Sequence, residues 1–157
     1  MMALLLSQSG PAQASDAAMT AFAENCFRPT MTAARAETRL GLHGVRYDFY
    51  DTDPFTSAAP SPATGRPATP GTDRRCEVSF DGAQIDAATA AVTAGLDAEG
   101  IGTPADVAAT FQTIPGAAFI GARRLNPRKI AVVQVGTRPG PNGTETYMNV
   151  ERLRSPQ

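Results

Sequence analysis

Apolar and polar positions along the chain change period several times, and each change marks an element. Met19, Phe22, Ala23 and Cys26 recur at helical spacing and form one apolar stripe. Ser15 can cap that helix, Asp16 suits its positive end, and Pro29 ends it. A second helix is predicted over residues 31–42, closed by Gly41 or Gly44. Val45, Tyr47 and Phe49 then alternate with Arg46, Asp48 and Tyr50, the period of a half-buried strand. Cys76, Val78 and Phe80 alternate with Arg75, Glu77 and Ser79 in the same way. The longest helix should follow, opened by a capping box over residues 81–84. Ile85, Ala88, Val92 and Leu96 share one of its faces, and Gly100 stops it. Thr103-Pro104-Ala105-Asp106 reads as the start of a further short helix, with Val107 and Phe111 as its buried face.

The last third reads as strand. Residues 119–125, 130–136 and 144–153 form three segments, separated by Asn126-Pro127-Arg128 and by a Pro/Gly-rich loop at 139–143. The middle segment is apolar on both faces, which places it in the centre of a sheet covered on both sides. Its neighbours alternate more and should lie nearer the edges. Consecutive strands usually pair, so the three form an antiparallel meander and the first two strands add a hairpin. The expected fold is α+β, with N-terminal helices and a single antiparallel sheet of about five strands. This element order resembles that of PAS-like and profilin-like domains, in which a hairpin, helices and a three-strand meander share one sheet. The resemblance implies a fold and no activity.

Between the first two strands, residues 57–72 are all Pro, Gly, Ala, Ser and Thr with one Arg, and they have no period. They bury too little to offset their ordering entropy and are expected to form a flexible loop.

Composition narrows the function classes. The chain has 157 residues, one ordinary domain, with no Trp and 6% aromatics. Its core must be light. Fourteen basic residues against 15 acidic ones exclude a dedicated nucleic-acid binder, which needs a basic surplus. The basic residues are nearly all Arg, as in a GC-rich bacterial genome.

Residues 1–14, MMALLLSQSGPAQA, end in small residues at Ala12 and Ala14 before Ser15-Asp16. That is the end of a secretory signal peptide, cut after Ala14. The apolar run is short and lacks a preceding Lys or Arg, which points to a leader that begins upstream. The rest, residues 15–157, is expected to be one exported domain, periplasmic or secreted, with no membrane span.

Few residues carry candidate chemistry. Cys26 and Cys76 are the two cysteines, each on the apolar stripe of its element, and in an exported chain they should form a disulfide. His43, the single histidine, lies between Leu42 and Gly44 without a sequence-local partner. No zinc set, nucleophile elbow or cofactor motif accompanies it, so no catalytic residue, metal site or cofactor is expected. Asp48, Asp51 and Asp53 read as a solvated strand exit, since the run lacks the Gly and terminal Glu of a calcium loop. Arg123, Arg124, Arg128 and Lys129 cluster at one hairpin turn and are the candidate partner-docking patch, against the plainer reading of a charged hairpin tip. The expected function is a non-catalytic binding or accessory protein, holding a small molecule or docking on a protein of the cell envelope. The alternative is a small hydrolase whose site is assembled from scattered Ser, Asp and Arg.

Overall fold

The computed structural model describes residues 10–52 and 61–155. Three helices, α1 (Pro11–Asn25), α2 (Ala33–Leu40) and α3 (Ile85–Ala98), lie on one face of a single antiparallel sheet. The sheet holds β1 (Val45–Asp51), β2 (Thr72–Asp81), β3 (Ala117–Asn126), β4 (Lys129–Gly140) and β5 (Gly143–Arg154). Their spatial order is β1-β2-β5-β4-β3, so the N-terminal hairpin joins the C-terminal meander through β2 and β5. The α+β fold with one sheet is as the hydrophobic pattern required.

The inner face is built by alternation. Val45 and Phe49 of β1, Cys76, Val78 and Phe80 of β2, Met148 and Val150 of β5, and Val133 and Val135 of β4 point toward the helices. Phe22, Phe27, Leu40, Val92 and Leu96 meet them. Each fully buried side chain of this size contributes about 1.5–3 kcal/mol, so a light core suffices for one domain. Phe22 and Phe27 pack edge to face. α1 and α3 approach closely at Gly95, where an added Cβ would sit 3.0 Å from Ala23 and Phe27.

Several expectations need correction. β5, not β4, is central. β4 is nonetheless apolar on both faces because both are covered, by helices inside and by residues 103–111 outside. Those residues do not form the expected helix. They run as a strap along β3, where Ala105 N donates to Ala122 O and Arg124 N donates to Thr103 O. Val107 and Phe111 are still apolar cover, packed on Ala122, Ile130, Val132 and Leu153. Open edge groups of β3 thus outcompete the local helix signal. The capping box at 81–84 does not form either. Gln84 makes no side-chain cap, and its N–H donates instead to Thr146 Oγ1. α1 starts at Pro11, ahead of Ser15, whose hydroxyl bonds back to Ala12 O.

Of the segment 57–72, expected as a flexible loop, residues 61–71 are described and Thr72 opens β2. Residues 53–60 lie outside the described residues. Residues 61–71 are laid on the outer face of the sheet, held by polar bonds and not by apolar burial. Ser61 is buried and its Oγ accepts from Phe49 N, Thr64 donates to Asp48, and Thr69 binds Glu151. Composition could not reveal this, because the partners lie on strands remote in sequence.

Cys26, at the end of α1, is bonded to Cys76 of β2, with Cα atoms 5.4 Å apart. The bridge closes a loop of 50 residues and ties the helical layer to the sheet. On the chain-entropy model such a loop is worth about 4 kcal/mol. Replacing both cysteines by Ser should lower the unfolding free energy by about that amount in urea titration, and denatured, unreduced wild-type protein should show no free thiol. Full labelling of both cysteines would refute the bond.

Candidate functional site

Three concave regions stand out among the described residues: one of about 510 Å³ beside the strap, bordered by Asp73, Phe111, Lys129, Leu153 and Arg154, and one over each face of the sheet. The inner one is a cavity of about 360 Å³ between the sheet and the C-terminal ends of α1 and α3. Phe27, Ile101, Leu125, Ala131 and Val150 make its apolar wall, and Cys26 of the disulfide borders it. Three charged residues line it as well: Arg74, Arg152 and Glu99. It exists because the inner row of the sheet changes character here. Cys76 and Val150, which are neighbours, give way one step along to Arg74 and Arg152, followed by Ala131 on β4. Ala131 supplies only a methyl, and α1 and α3 end beside it at Asn25 and Ala98.

Arg74 is tied into the frame. It donates to Arg28 O (2.9 Å) and Met31 O, pairs with Asp51 through Nε (3.2 Å), and lies over the Phe49 ring. Burial lowers its pKa, Asp51 opposes that, and the like charge of Arg152 lowers it further. Arg152 is held from behind: Nε donates to Asp73 (2.6 Å) and Nη2 to Asp51 (3.4 Å). Glu99 lies 3.9 Å from Arg28.

The outer region is a groove of about 400 Å³ bordered by Arg46, Arg66, Arg138, Asp48, Glu77 and Glu145. Its charges are already spent on one another. An alternating chain runs Asp81–Arg46–Glu145–Arg138–Glu77–Arg66–Asp48–Arg75, with every link between 2.6 and 3.3 Å. Arg75 then reaches Glu151 at 4.0 Å. Arg75 also donates to Pro67 O and Thr69 and lies over the Tyr50 ring. This groove is frame, and the cavity is the better ligand site.

The residues singled out from sequence distribute as follows. Asp48 and Asp51 are buried in ion pairs on opposite faces, which corrects the reading of a solvated strand exit. Asp53 lies outside the described residues. His43 is exposed between α2 and β1. Arg123 and Arg124 point to opposite faces of β3, Arg128 is exposed in the turn, and Lys129 is bonded to Asp73. The four therefore ring a hairpin and do not form one flat patch. The turn itself borders the cavity through Leu125 and Asn126. Sequence reasoning missed Arg74 and Arg152. The available signal was an Arg at an inward position of a strand, at Arg74 before Cys76 and Val78 and at Arg152 after Met148 and Val150.

Among the described residues, no group of His, Cys, Asp and Glu is able to hold a metal, and no helix is long and apolar enough to cross a membrane. No family model, curated protein or solved structure matches the chain.

The outer chain makes a pH prediction. Burial would raise Glu77, but hydrogen bonds and charge from Arg138, with Arg66 and Asn149, hold it below the ordinary glutamate range. Burial does raise Glu151, against opposing pulls from Thr69 and Arg75. By linkage, the Glu77 contribution is present above the unfolded glutamate range and is lost as pH falls through its lowered value. Glu151 behaves oppositely: its contribution is present at low pH and is lost as pH rises through its raised value. Glu77→Gln should therefore cost on the order of 3 kcal/mol at neutral pH, a deficit that shrinks on acidification. Glu151→Gln should cost little or stabilise. Equal losses in urea titration at pH 7 would contradict the assignment.

Residues 61–71 give a second test. Replacing them with a Gly-Ser linker removes the partners of Arg75, Glu77 and Glu151 together. The melting temperature should fall markedly, although loop-closure entropy alone would barely change it. An unchanged melting temperature would show that the segment contributes nothing.

Proposed function

We propose that the chain is a non-catalytic binding protein of the bacterial periplasm, holding a small, largely apolar molecule in the inner-face cavity. The observation that carries this reading is the cavity itself. Its volume of about 360 Å³ falls within the range of small-molecule sites. Its wall is apolar with a few convergent polar groups, the composition such sites require. The disulfide along its border suits an oxidising compartment. The alternative, a small hydrolase, needs a nucleophile and a base in one cleft. The described lining of the cavity contains neither Ser nor His.

Binding is tested with the neutral fluorophore N-phenyl-1-naphthylamine, whose emission rises on entering an apolar site. The wild-type chain should enhance it saturably, and Ala131→Leu, which fills the cavity floor, should abolish the enhancement while circular dichroism stays unchanged. Unaltered enhancement in a folded Ala131→Leu variant would overturn the reading. Export is tested separately. Mass spectrometry of protein from the native host should find a chain beginning at Ser15 in the periplasmic fraction. The shortened α1 would then start at its own capping residue. An intact Met1 in the cytoplasmic fraction would overturn the location.

A further inference from the structure

We infer that the cavity selects a carboxylic acid with an apolar body, its carboxylate received by the Arg152 guanidinium. The inference rests on the reading that the cavity binds a small molecule, and it names the class of that molecule.

The argument begins with what a ligand would meet. The wall of Phe27, Ile101, Leu125, Ala131 and Val150 offers apolar contact and no hydrogen bonds from side chains. Polar recognition falls to Arg74, Arg152, Glu99 and Asn126. Glu99 faces the Arg28 guanidinium at 3.9 Å, so its charge is offset from within the chain. Arg74 spends both terminal nitrogens on main-chain carbonyls, and its buried Nε faces Asp51 at 3.2 Å as an ion pair without a hydrogen bond. Arg152 differs. Its pairs with Asp73 and Asp51 engage Nε and Nη2, while Nη1 forms no bond among the described residues. Those two carboxylates do not border the cavity; Arg152 does. They fix the guanidinium in place before any ligand arrives, which reduces the ordering cost of binding.

The cross-strand row sharpens this. Arg74, Arg152, Ala131 and Arg123 are successive partners on β2, β5, β4 and β3 and share the inner face. Of these, Arg74, Arg152 and Ala131 border the cavity, so an anion seated over the methyl of Ala131 has the Arg152 guanidinium at the neighbouring position. A buried carboxylate is costly unless it is paired and hydrogen-bonded. Guanidinium is the group whose planar donors match carboxylate geometry. A cation would instead face Arg74 and Arg152 and be repelled, and a neutral alcohol would leave Nη1 with a weaker partner.

The test measures displacement of N-phenyl-1-naphthylamine by decanoic acid, 1-decanol and decylamine at pH 8, on wild type and on Arg152→Gln. Decanoate should displace the fluorophore at a concentration about tenfold or more below decanol, the gain expected of a charge-assisted pair, and decylamine should be weakest. In Arg152→Gln the acid's advantage over the alcohol should fall to near parity while the fluorophore still binds. Equal displacement by acid and alcohol in wild type would overturn the ligand class and leave the cavity reading standing, as would preference for the amine. Failure of the fluorophore to bind wild type at all would overturn the cavity reading and the ligand class with it. Retention of the acid preference in Arg152→Gln would overturn the role of Arg152. If that variant does not fold, the comparison of acid, alcohol and amine on wild type still decides the class.

Discussion

The outer face of the sheet is held by charge. Carboxylates and guanidiniums alternate from Asp81 to Glu151 across β1, β2, β4, β5 and the segment 61–71, and no like charges are adjacent along the chain of pairs. Taking such groups out of water is expensive, and only near-complete pairing offsets the cost. Glu77 meets that condition with Arg138, Arg66 and Asn149. Much else follows from it. Residues 61–71 must lie down on the sheet, because Arg66, Pro67 and Thr69 supply partners that the strands lack. β5 can be central and still carry Glu145, Asn149 and Glu151 on its outer side. A polar face this specific also fixes strand register, since a one-residue slip would turn every charge toward the helices.

With one face committed to ion pairs, apolar burial concentrates on the other. The helices cover the inner face over most of its length, and the Cys26–Cys76 bond fastens the end of α1 to the strand beneath it. Beyond that bond the cover stops. α3 ends at Ala98, and the row of Cys76 and Val150 passes to Arg74 and Arg152. The cavity is what remains between the last helical turns and a sheet surface that has become partly cationic. A disulfide at its border is well placed to hold its shape, since the wall it stiffens belongs to two different layers.

What could be read in the sequence follows from which interactions are local. The strand alternation of Val45, Tyr47 and Phe49, and of Cys76, Val78 and Phe80, depends only on period and placed β1 and β2 correctly. The cysteine pairing was legible in the count of two and in the place of each on the apolar stripe of its element. The helix expected from Thr103 failed because the free edge of β3 offered the same backbone better partners. The contacts of residues 61–71 were not legible in composition, since Ser61, Arg66 and Thr69 find partners on strands before and after them. The inner-face arginines were hidden for a related reason. Arg74 looks like an ordinary polar residue preceding a strand, and only the pairing of β2 with β5 brings it beside Arg152.

That pairing also explains why the two Arg-rich parts of the molecule differ in chemical potential. On the outer face each guanidinium has carboxylates on two sides, so the net field is small and little is left for an external ion. At the cavity the carboxylates Asp51 and Asp73 stand behind Arg152 and not in front of it. The same residue types thus produce a neutral scaffold in one place and a guanidinium that borders a cavity in the other. The difference is one of direction. Asp51 and Asp73 bond the guanidinium of Arg152 from outside the cavity, whose lining is the apolar wall of Phe27, Ile101 and Leu125, with Asn126 and the Arg28-paired Glu99 as polar members. A low-dielectric wall opposite a fixed charge strengthens whatever anion enters between them. Selectivity at this site would then come from the missing fourth side of an ion-pair cluster, not from any residue pattern that a motif could record.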